Sequence, residues 1–360
     1  MKIVVFGGGL QGRVIAQNLI VRKEKPEVEI ADIQKPADLP KGVTYKQLDV
    51  LDENQVKAAA KGADAAVLAV PSAIARQSLI NLIAAGIPVA DVCFTPDPPL
   101  DLDNKAKQSG ACCVVDCGVA PGLSHILVGS AYKILGSLDS IHILVGGMPI
   151  APPEVFHHAV YFNPRDLIAE YIRPARARED GKDTDLAPLS AEVHKVKDDA
   201  GFFDAFLSDG LRSLLTSFPN VPDMWERTLR WPGHMETMQS LHALGLFEEG
   251  VAGDTTADTI GKKFAGVKHP DFLVLRIECR RGDKKLAWRM YDKVTNGESA
   301  MSRTTGYTTA AVAMLLAQKK FTEPGVHAPE KLGEYKNLVD AVVGDLAECG
   351  VKVEELAAVS

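Results

Sequence analysis

The sequence predicts an α/β protein: a doubly wound parallel sheet at the N-terminus, followed by an inserted α+β domain on a mostly antiparallel sheet. Three observations predict this. Over the first 120 residues, short β-rich runs alternate with helical stretches. Those runs are almost continuously apolar, as expected when both faces of a parallel sheet are covered. Further on, Leu273, Leu275, Ile277 and Cys279 alternate with Arg276, Glu278 and Arg280, the period of a half-buried antiparallel strand.

The expected strands of the first part are Lys2–Phe6, Val28–Ala31, Val43–Val50, Ala65–Val70, Pro88–Phe94 and Ala111–Asp116. Between them, Gln11–Ile20, Asn54–Lys61, Ile74–Ala85 and Leu102–Ser109 read as helices, with Leu79, Leu82 and Ile83 at helical spacing. Repeated βαβ units require right-handed crossovers. The texture changes after Pro121. Leu123–Leu135 reads as a helix, and Ser140–Val145 and Val155–Phe162 read as strands. Asn163-Pro164 opens a helix, with Asn as N-cap and Pro at the first helical position. Asp180-Gly181 is a turn signal. Val193–Lys197 and Phe202–Leu207 follow as strands, and Trp231–Leu246 as a helix that begins after Pro232 and ends near Gly245. Gly282-Asp283 turns the alternating strand toward a partner at Leu286–Asp292. Thr308–Gln318 is an alanine- and leucine-rich helix, preceded by Ser302–Gly306. At about 150 residues per domain, the 360 residues suggest two domains. We expect a nucleotide domain over 1–121, a substrate domain over 122–300, and a stretch over 301–360 that returns to the first.

Composition narrows the function. Apolar residues are 46% and charged residues 24%, ordinary for a globular chain, which excludes a disordered tail or a disulfide mini-scaffold. The net charge is -7 and no Lys/Arg block occurs, so no nucleic-acid partner is expected. No apolar run approaches the roughly 18 residues of a membrane span. The N-terminus is apolar only from Ile3 to Phe6, too short for a signal peptide. A soluble, cytoplasmic protein is the expectation. Cys93, Cys112, Cys113, Cys117, Cys279 and Cys349 form no CxxC pair, and HExxH is absent. Buried, reduced thiols are therefore expected and no metal.

The motif that carries chemistry is Gly7-Gly8-Gly9-Leu10-Gln11-Gly12, directly after the first strand and directly before a helix. Gly7 permits the tight turn, Gly9 lets a pyrophosphate approach the backbone, and Gly12 lets helix and strand pack closely. With Leu10 and Gln11, these glycines form the first turn, whose N–H groups would face phosphates. Asp32 follows twenty residues after Gly12, at the end of the second strand. That carboxylate would bind a ribose 2′-hydroxyl and repel a 2′-phosphate, favouring NAD over NADP; Lys35 nearby opposes that preference. Asp49, at the end of the third strand, reads equally as an adenine-side group or a solvated carboxylate.

Ligands of such sheets bind beyond the carboxyl ends of the strands. Val70 and Pro71 end the fourth strand there, and Asp91, Cys93, Thr95 and Asp97 lie at or after the fifth. Asp116 and Gly118 end the sixth. Asp91, Asp97 and Asp116 are the candidates for nicotinamide-side chemistry, with Asp91 read equally as a capping or inter-domain group. In the middle segment, Glu170-Tyr171-Ile172-Arg173, Ser208-Asp209-Gly210-Leu211-Arg212 and Thr228-Leu229-Arg230-Trp231-Pro232-Gly233-His234 read as a polar-substrate site. Arginine offers a bidentate partner for a carboxylate, and histidine a proton carrier near neutral pH. His157 and His158 are expected on opposite faces of one strand rather than around a metal.

At these residues the chain resembles the saccharopine dehydrogenase-like family, in particular its lysine 6-dehydrogenase branch. The stretches are GGGLQGRVIAQNL, VADVCFTPDPPLDLD, VVDCGVAPGLSHIL, NPRDLIAEYIRPARAREDGK, FLSDGLRSLL, RTLRWPGH and SRTTGYTTAA. The resemblance implies an N-terminal Rossmann domain, an inserted substrate domain and a homodimer. It implies NAD-dependent oxidation of the ε-amine of L-lysine to 2-aminoadipate semialdehyde, which cyclises to a piperideine carboxylate. It also implies Arg230 as a substrate-carboxylate ligand, through the match of TLRW to the family's TLRY. Within that reading Arg212 joins Arg230 on the carboxylate, Tyr171 and Arg173 neighbour the pocket, and Asp116 or Asp97 is the base, followed by Asp91 and His234. Saccharopine reductases tend to carry an Asp before the Pro-Gly of the strand-six loop, where this chain has Ala120. Saccharopine, a carboxylated polyamine such as carboxynorspermidine, or a non-catalytic NAD sensor remain as alternatives.

Overall fold

The computed structural model describes residues 1–190 and 192–356. In chain order the elements begin with β1 (Lys2–Phe6), α1 (Leu10–Ile20), β2 (Glu27–Asp32), β3 (Thr44–Gln47), α2 (Glu53–Ala60), β4 (Ala65–Leu68) and α3 (Ser72–Ala84). Next come β5 (Val89–Asp91), α4 (Asp103–Ser109), β6 (Cys112–Val114), α5 (Leu123–Leu135), β7 (Ser140–Pro149) and α6 (Pro164–Ile172). They are followed by β8 (Ala175–Glu179), β9 (Lys182–Leu186), β10 (His194–Asp198), β11 (Gly201–Leu207), α7 (Leu214–Ser217) and β12 (Asp223–Arg230). Then come α8 (His234–Ala243), α9 (Val251–Lys263), β13 (Asp271–Arg281), β14 (Lys284–Lys293) and α10 (Ala300–Ala317). The described chain ends with β15 (Gly325–His327), α11 (Glu330–Gly333), α12 (Lys336–Glu348) and β16 (Val353–Leu356).

These elements form two compact units. The first comprises Met1–Lys133 and Ser302–Gly350. Its seven-stranded sheet, in the order β15-β6-β5-β4-β1-β2-β3, is parallel at every pairing. Ile3, Val4, Val5 and Phe6 are fully buried, as are Ala65, Ala66, Val67 and Leu68 beside them. Order reverses at β1, whose neighbours are β2 and β4, so the glycine turn after β1 sits at the switch point where such sheets bind ligands.

The second unit comprises Ile134–Met301 and the chain from Val351 onward. Its nine-stranded sheet, β10-β11-β12-β7-β13-β14-β16 with β8 and β9 joined through β12, is mixed: β7 and β12 pair in parallel, the other strands antiparallel. The final stretch is divided, because β16 pairs with β14 while α10, β15, α11 and α12 belong to the first unit.

Several local expectations are corrected. Val155–Phe162 is not a strand. His157 has φ 53 and its N–H reaches back to the Pro153 carbonyl at 2.8 Å, so the chain turns there. Phe156 and Val160 instead enter a core with Leu167, Ile168, Phe206 and Met238. A short apolar run does not by itself distinguish a strand from such a turn. The helix expected from Trp231 begins at His234, because β12 runs on to Arg230 and Gly233 turns the chain at φ 95. The last long helix opens at Ala300, where the buried Asp271 carboxylate accepts the N–H groups of Ala300 (2.8 Å) and Met301 (3.0 Å). Asn163 does cap α6, accepting from Arg165 N at 2.9 Å. Asp180-Gly181 does turn, joining β8 to β9 with φ 49 and 75. All six cysteines are free thiols; five are buried and Cys349 is partly exposed.

Candidate active site

The glycine turn is held by close approach. A Cβ at Gly7 (φ 109) would overlap the carbonyl of Ala69, and one at Gly12 would overlap the carbonyl of Gly7. Gly9, by contrast, faces open space, with no atom within 4 Å of such a Cβ. Gly9 is also the N-cap of α1 and offers no side-chain acceptor, so the first-turn N–H groups have no capping oxygen. Gln11 contributes a buried Oε1 without a hydrogen-bond partner, and Leu10 is half exposed at 49%. Asp32 closes the far side: its Oδ2 accepts from Gly8 N at 2.6 Å and its Oδ1 from Gln34 N at 3.0 Å. Val70 Cγ1 lies against Gly7, and Pro71 precedes α3 as its N-cap. Open space at Gly9 and uncapped backbone donors fit a dinucleotide pyrophosphate. Asp49 stands apart from this cluster. It lies beyond the end of β3 and its Oδ1 accepts from Leu51 N at 2.9 Å, a local turn.

At the ends of β5 and β6, Asp91 and Asp116 are both buried, 2% exposed each. Asp91 Oδ1 accepts from Cys93 N at 2.8 Å and its carbonyl from Cys117 N at 2.8 Å. Asp116 takes a left-handed backbone, φ 54, that few non-glycine residues adopt. Burial, and then the two carboxylates, hold the Cys93 and Cys117 thiols well above their usual range. The fold thus brings Asp91 and Asp116 around the same sulfur atoms. Asp97 lies in the exposed turn that follows, where Thr95 Oγ1 donates to its carbonyl at 2.7 Å.

In the second unit the polar clusters of the sequence converge on Arg230, the last residue of β12. Strand alternation puts Glu226, Thr228 and Arg230 on one face. Arg230 is 3% exposed. Its Nε donates to Tyr171 Oη at 2.9 Å, its Nη2 to Glu170 Oε2 at 2.6 Å and its Nη1 to the Leu229 carbonyl at 2.9 Å. Burial works against its charge, but Glu170 and Tyr171 outweigh it and raise its pKa.

His234 anchors the other side of Tyr171. Its Nδ1 lies 2.7 Å from the Phe156 carbonyl, which can only accept. The proton therefore sits on Nδ1, and Nε2 accepts from Tyr171 Oη at 2.7 Å. The result is a directed chain: Arg230 donates to Tyr171, Tyr171 to His234, and His234 to a backbone oxygen. Burial, reinforced by Arg230, lowers the His234 pKa to about 3, so the imidazole stays neutral. Both ring nitrogens are committed, and His234 positions Tyr171. Tyr171 is fully buried, and burial raises the pKa of its hydroxyl.

Arg173 and Arg212 lie beside this chain. Arg212 is 2% exposed and has φ 46. Burial lowers the Arg173 pKa, opposed by Asp209 and reinforced by Arg212, so the three share one neighbourhood. Asp209 is gripped by Arg176 through Nε at 2.7 Å and Nη2 at 2.9 Å. Tyr171, Arg173, Arg212 and Arg230 are thus gathered in one part of the unit. Sequence reading missed Glu226, Arg176 and the unpartnered role of His158, and it did not recognise β12 as a strand.

Residues 118–351 match the family described as "Saccharopine dehydrogenase C-terminal domain". The chain belongs to the saccharopine dehydrogenase family. By that membership it is an oxidoreductase. Among solved structures it is similar to the apo, L-Glu-forming saccharopine dehydrogenase of Saccharomyces cerevisiae, with TM-score 0.77 and 16% identity over 99% of this chain and 100% of that one. At that identity the likeness speaks for the shared fold. The DAP dehydrogenase of C. glutamicum in complex with DAP matches at TM-score 0.49 and 13% identity, over 92% of this chain and 93% of that one.

Proposed function

We propose that this member of the family oxidises the ε-amine of L-lysine with NAD, releasing ammonia and 2-aminoadipate semialdehyde, which cyclises to a piperideine carboxylate. The observation that supports an amino-acid substrate most directly is the buried, pre-oriented guanidinium of Arg230. A fixed arginine in a water-poor site suits a planar carboxylate.

In this reading Gly7, Gly9, Leu10, Gln11 and Gly12 hold the pyrophosphate, with Val70 and Pro71 beside it. Asp32 takes the adenosine ribose and favours NAD over NADP, and Asp49 stands on the adenine side. When bound, the dinucleotide supplies the acceptor for a hydride from C6 of the substrate. The residues of the chain do the rest. Arg230 and Arg212 bind the α-carboxylate, with Tyr171 and Arg173 shaping the pocket. Asp116, with Asp91 next to it and Asp97 on the following turn, takes a proton from the ε-ammonium, because only the neutral amine has the lone pair that becomes the C=N bond. Once it has returned that proton to solvent, the same carboxylate takes a proton from the water that attacks the iminium carbon and passes it to the amine nitrogen, which leaves as ammonia with the C–N electron pair. His234 holds Tyr171 and exchanges no proton. The enzyme is expected as a cytoplasmic homodimer.

The test mixes the protein with NAD and L-lysine at mildly alkaline pH and follows absorbance of the reduced nicotinamide, with saccharopine and carboxynorspermidine in parallel. Signal with lysine supports the reading; signal only with another amine replaces the substrate; silence throughout, with NAD bound, favours a sensor. Arg230→Ala with an unchanged KM for lysine would remove the carboxylate role. Asp116→Asn with normal turnover would remove that residue as the base.

A further inference from the structure

Five residues of the described chain carry buried polar side-chain atoms without a hydrogen-bond partner: Gln11, His158, Asp204, Glu226 and Asp345. Two of them, Asp204 and His158, stand beside Arg230, and Glu226 lies further along the same strand. Asp204 stands directly opposite Arg230 in the β11–β12 register. His158 has both ring nitrogens unpartnered, its ring centroid is 4.9 Å from that of His234, and burial together with Arg230 holds it neutral. Glu226 lies on the same face of β12 as Arg230 and leaves its Oε2 unpartnered at 3% exposure. Unpaired polar atoms are rare in protein interiors, and their gathering at one place points to a polar ligand.

Glu226 is the most informative of the three. Its carboxyl occupies the space a side chain at 210 would need, so Gly210 is required for it to lie there. Glu170 and Asp209 face it with like charge, Ser208 donates to it, and Arg212 is the cation beside it. Glu170 in turn bridges Thr228 Oγ1 at 3.1 Å and Arg230 at 2.6 Å. Three carboxyls thus converge there, with Arg230 held by Glu170 and Arg176 by Asp209. An added cation would relieve that convergence.

Resting on the lysine reading above, we propose that Glu226, seconded by Glu170, accepts the α-ammonium of the substrate and so selects α-amino acids over simple ω-amines. The α-ammonium sits one carbon from the carboxylate assigned to Arg230 and Arg212, so both charges of the head group are read on one face of the sheet. Burial, then Glu170 and Asp209, push the Glu226 pKa up to about 8, so the empty carboxyl is largely protonated at neutral pH. Accepting an ammonium should then release a proton.

The experiment compares lysine with 6-aminohexanoate, which lacks only the α-ammonium. Turnover with NAD is measured for the parent, E226Q and E226D. Binding to the protein with NADH, which prevents turnover, is measured by calorimetry in two buffers of different ionisation enthalpy. The parent is expected to prefer lysine by about ten- to hundred-fold, the scale of one hydrogen bond to a charged group. E226Q should lose most of that preference and the proton release; E226D should recover part of both. A glutamine replaces a protonated carboxyl almost isosterically, so a merely structural Glu226 would leave the preference unchanged, and that result overturns the proposal. If E226Q fails to fold, equal binding of the two ligands by the parent overturns it equally. Binding preference and proton release without NAD reduction would sink the lysine-oxidation reading and keep Glu226 as the ammonium acceptor.

Discussion

Replacing Tyr171 by phenylalanine removes one oxygen and leaves the ring packed against Phe206 at 5.2 Å between centroids. The oxygen has two partners, Arg230 Nε at 2.9 Å and His234 Nε2 at 2.7 Å, and both groups are buried. Losing the hydroxyl leaves both buried groups without that partner. An unsatisfied buried donor or acceptor costs about 1–3 kcal/mol. Arg230 keeps Glu170 and the Leu229 carbonyl, so its loss falls at the low end. His234 Nε2 keeps nothing else. Together the substitution should destabilise the protein by roughly 2–4 kcal/mol, a large share of the typical 5–15 kcal/mol of a folded domain. Urea unfolding of the parent, Tyr171→Phe, His234→Ala and the double variant measures this. The midpoint should fall with little change in slope. The cycle should return a coupling of about 1 kcal/mol or more between Tyr171 and His234. A Tyr171→Phe protein within about 0.5 kcal/mol of the parent, or a coupling near zero, refutes the directed chain and with it the argument that Arg230 is pre-oriented.

Three more predictions concern single groups. Because burial lowers the His234 pKa to about 3, from an ordinary 6.5, the unfolded chain takes up its proton first as pH falls. Its contribution to stability is complete above about pH 6.5 and is lost toward pH 3; in NMR its imidazole protons should not titrate between pH 7.5 and 4.5, and a midpoint near 6.5 would contradict the neutral, committed ring. Gly12→Ala places a methyl group on the Gly7 carbonyl and should weaken NADH binding at least about tenfold by fluorescence titration, whereas unchanged affinity would show that the turn does not hold the pyrophosphate. Asp32→Asn removes the charge and leaves one amide oxygen to accept from Gly8 or Gln34, so the preference for NAD over NADP should shrink by about tenfold or more, and an unchanged ratio would remove Asp32 from cofactor choice.

The first sheet was legible in six of its seven strands, β15 of only three residues being missed, because those six are fixed by local pattern. Its strands are short apolar runs, its helices begin where polar periodicity starts, and Gly7 and Gly12 each answer a backbone contact that no other residue allows. The second unit was less legible, for identifiable reasons. β12 contains Glu226, Thr228 and Arg230 on one face and so lacks an apolar stripe; its polar face is covered by Glu170 and Tyr171 from α6, far away in sequence. β9 is charged because it is largely exposed, whereas the charge in β8 includes Arg178, buried by donating to the carbonyls of Phe218 and Leu215, a long-range solution no window reveals. Val155–Phe162 misled in the opposite sense, since its apolar residues serve a helical core one at a time.

Arg230 can bind a carboxylate although it is already paired. A guanidinium has five N–H groups, and the three contacts to Tyr171, Glu170 and Leu229 use one on each nitrogen. Two donors, one on each terminal nitrogen, are left for a ligand. Glu170 cannot simply be displaced, because Thr228 holds its other oxygen at 3.1 Å. An incoming carboxylate therefore shares Arg230 with Glu170, with Arg212 as the second cation assigned to it. The repulsion that remains between the two anions is relieved when the ligand brings its own positive charge to the side of Glu170 and Glu226. A zwitterionic head group does so; a simple carboxylic acid does not. The arrangement around Arg230 thus argues for an α-amino acid before the identity of its distal amine is considered.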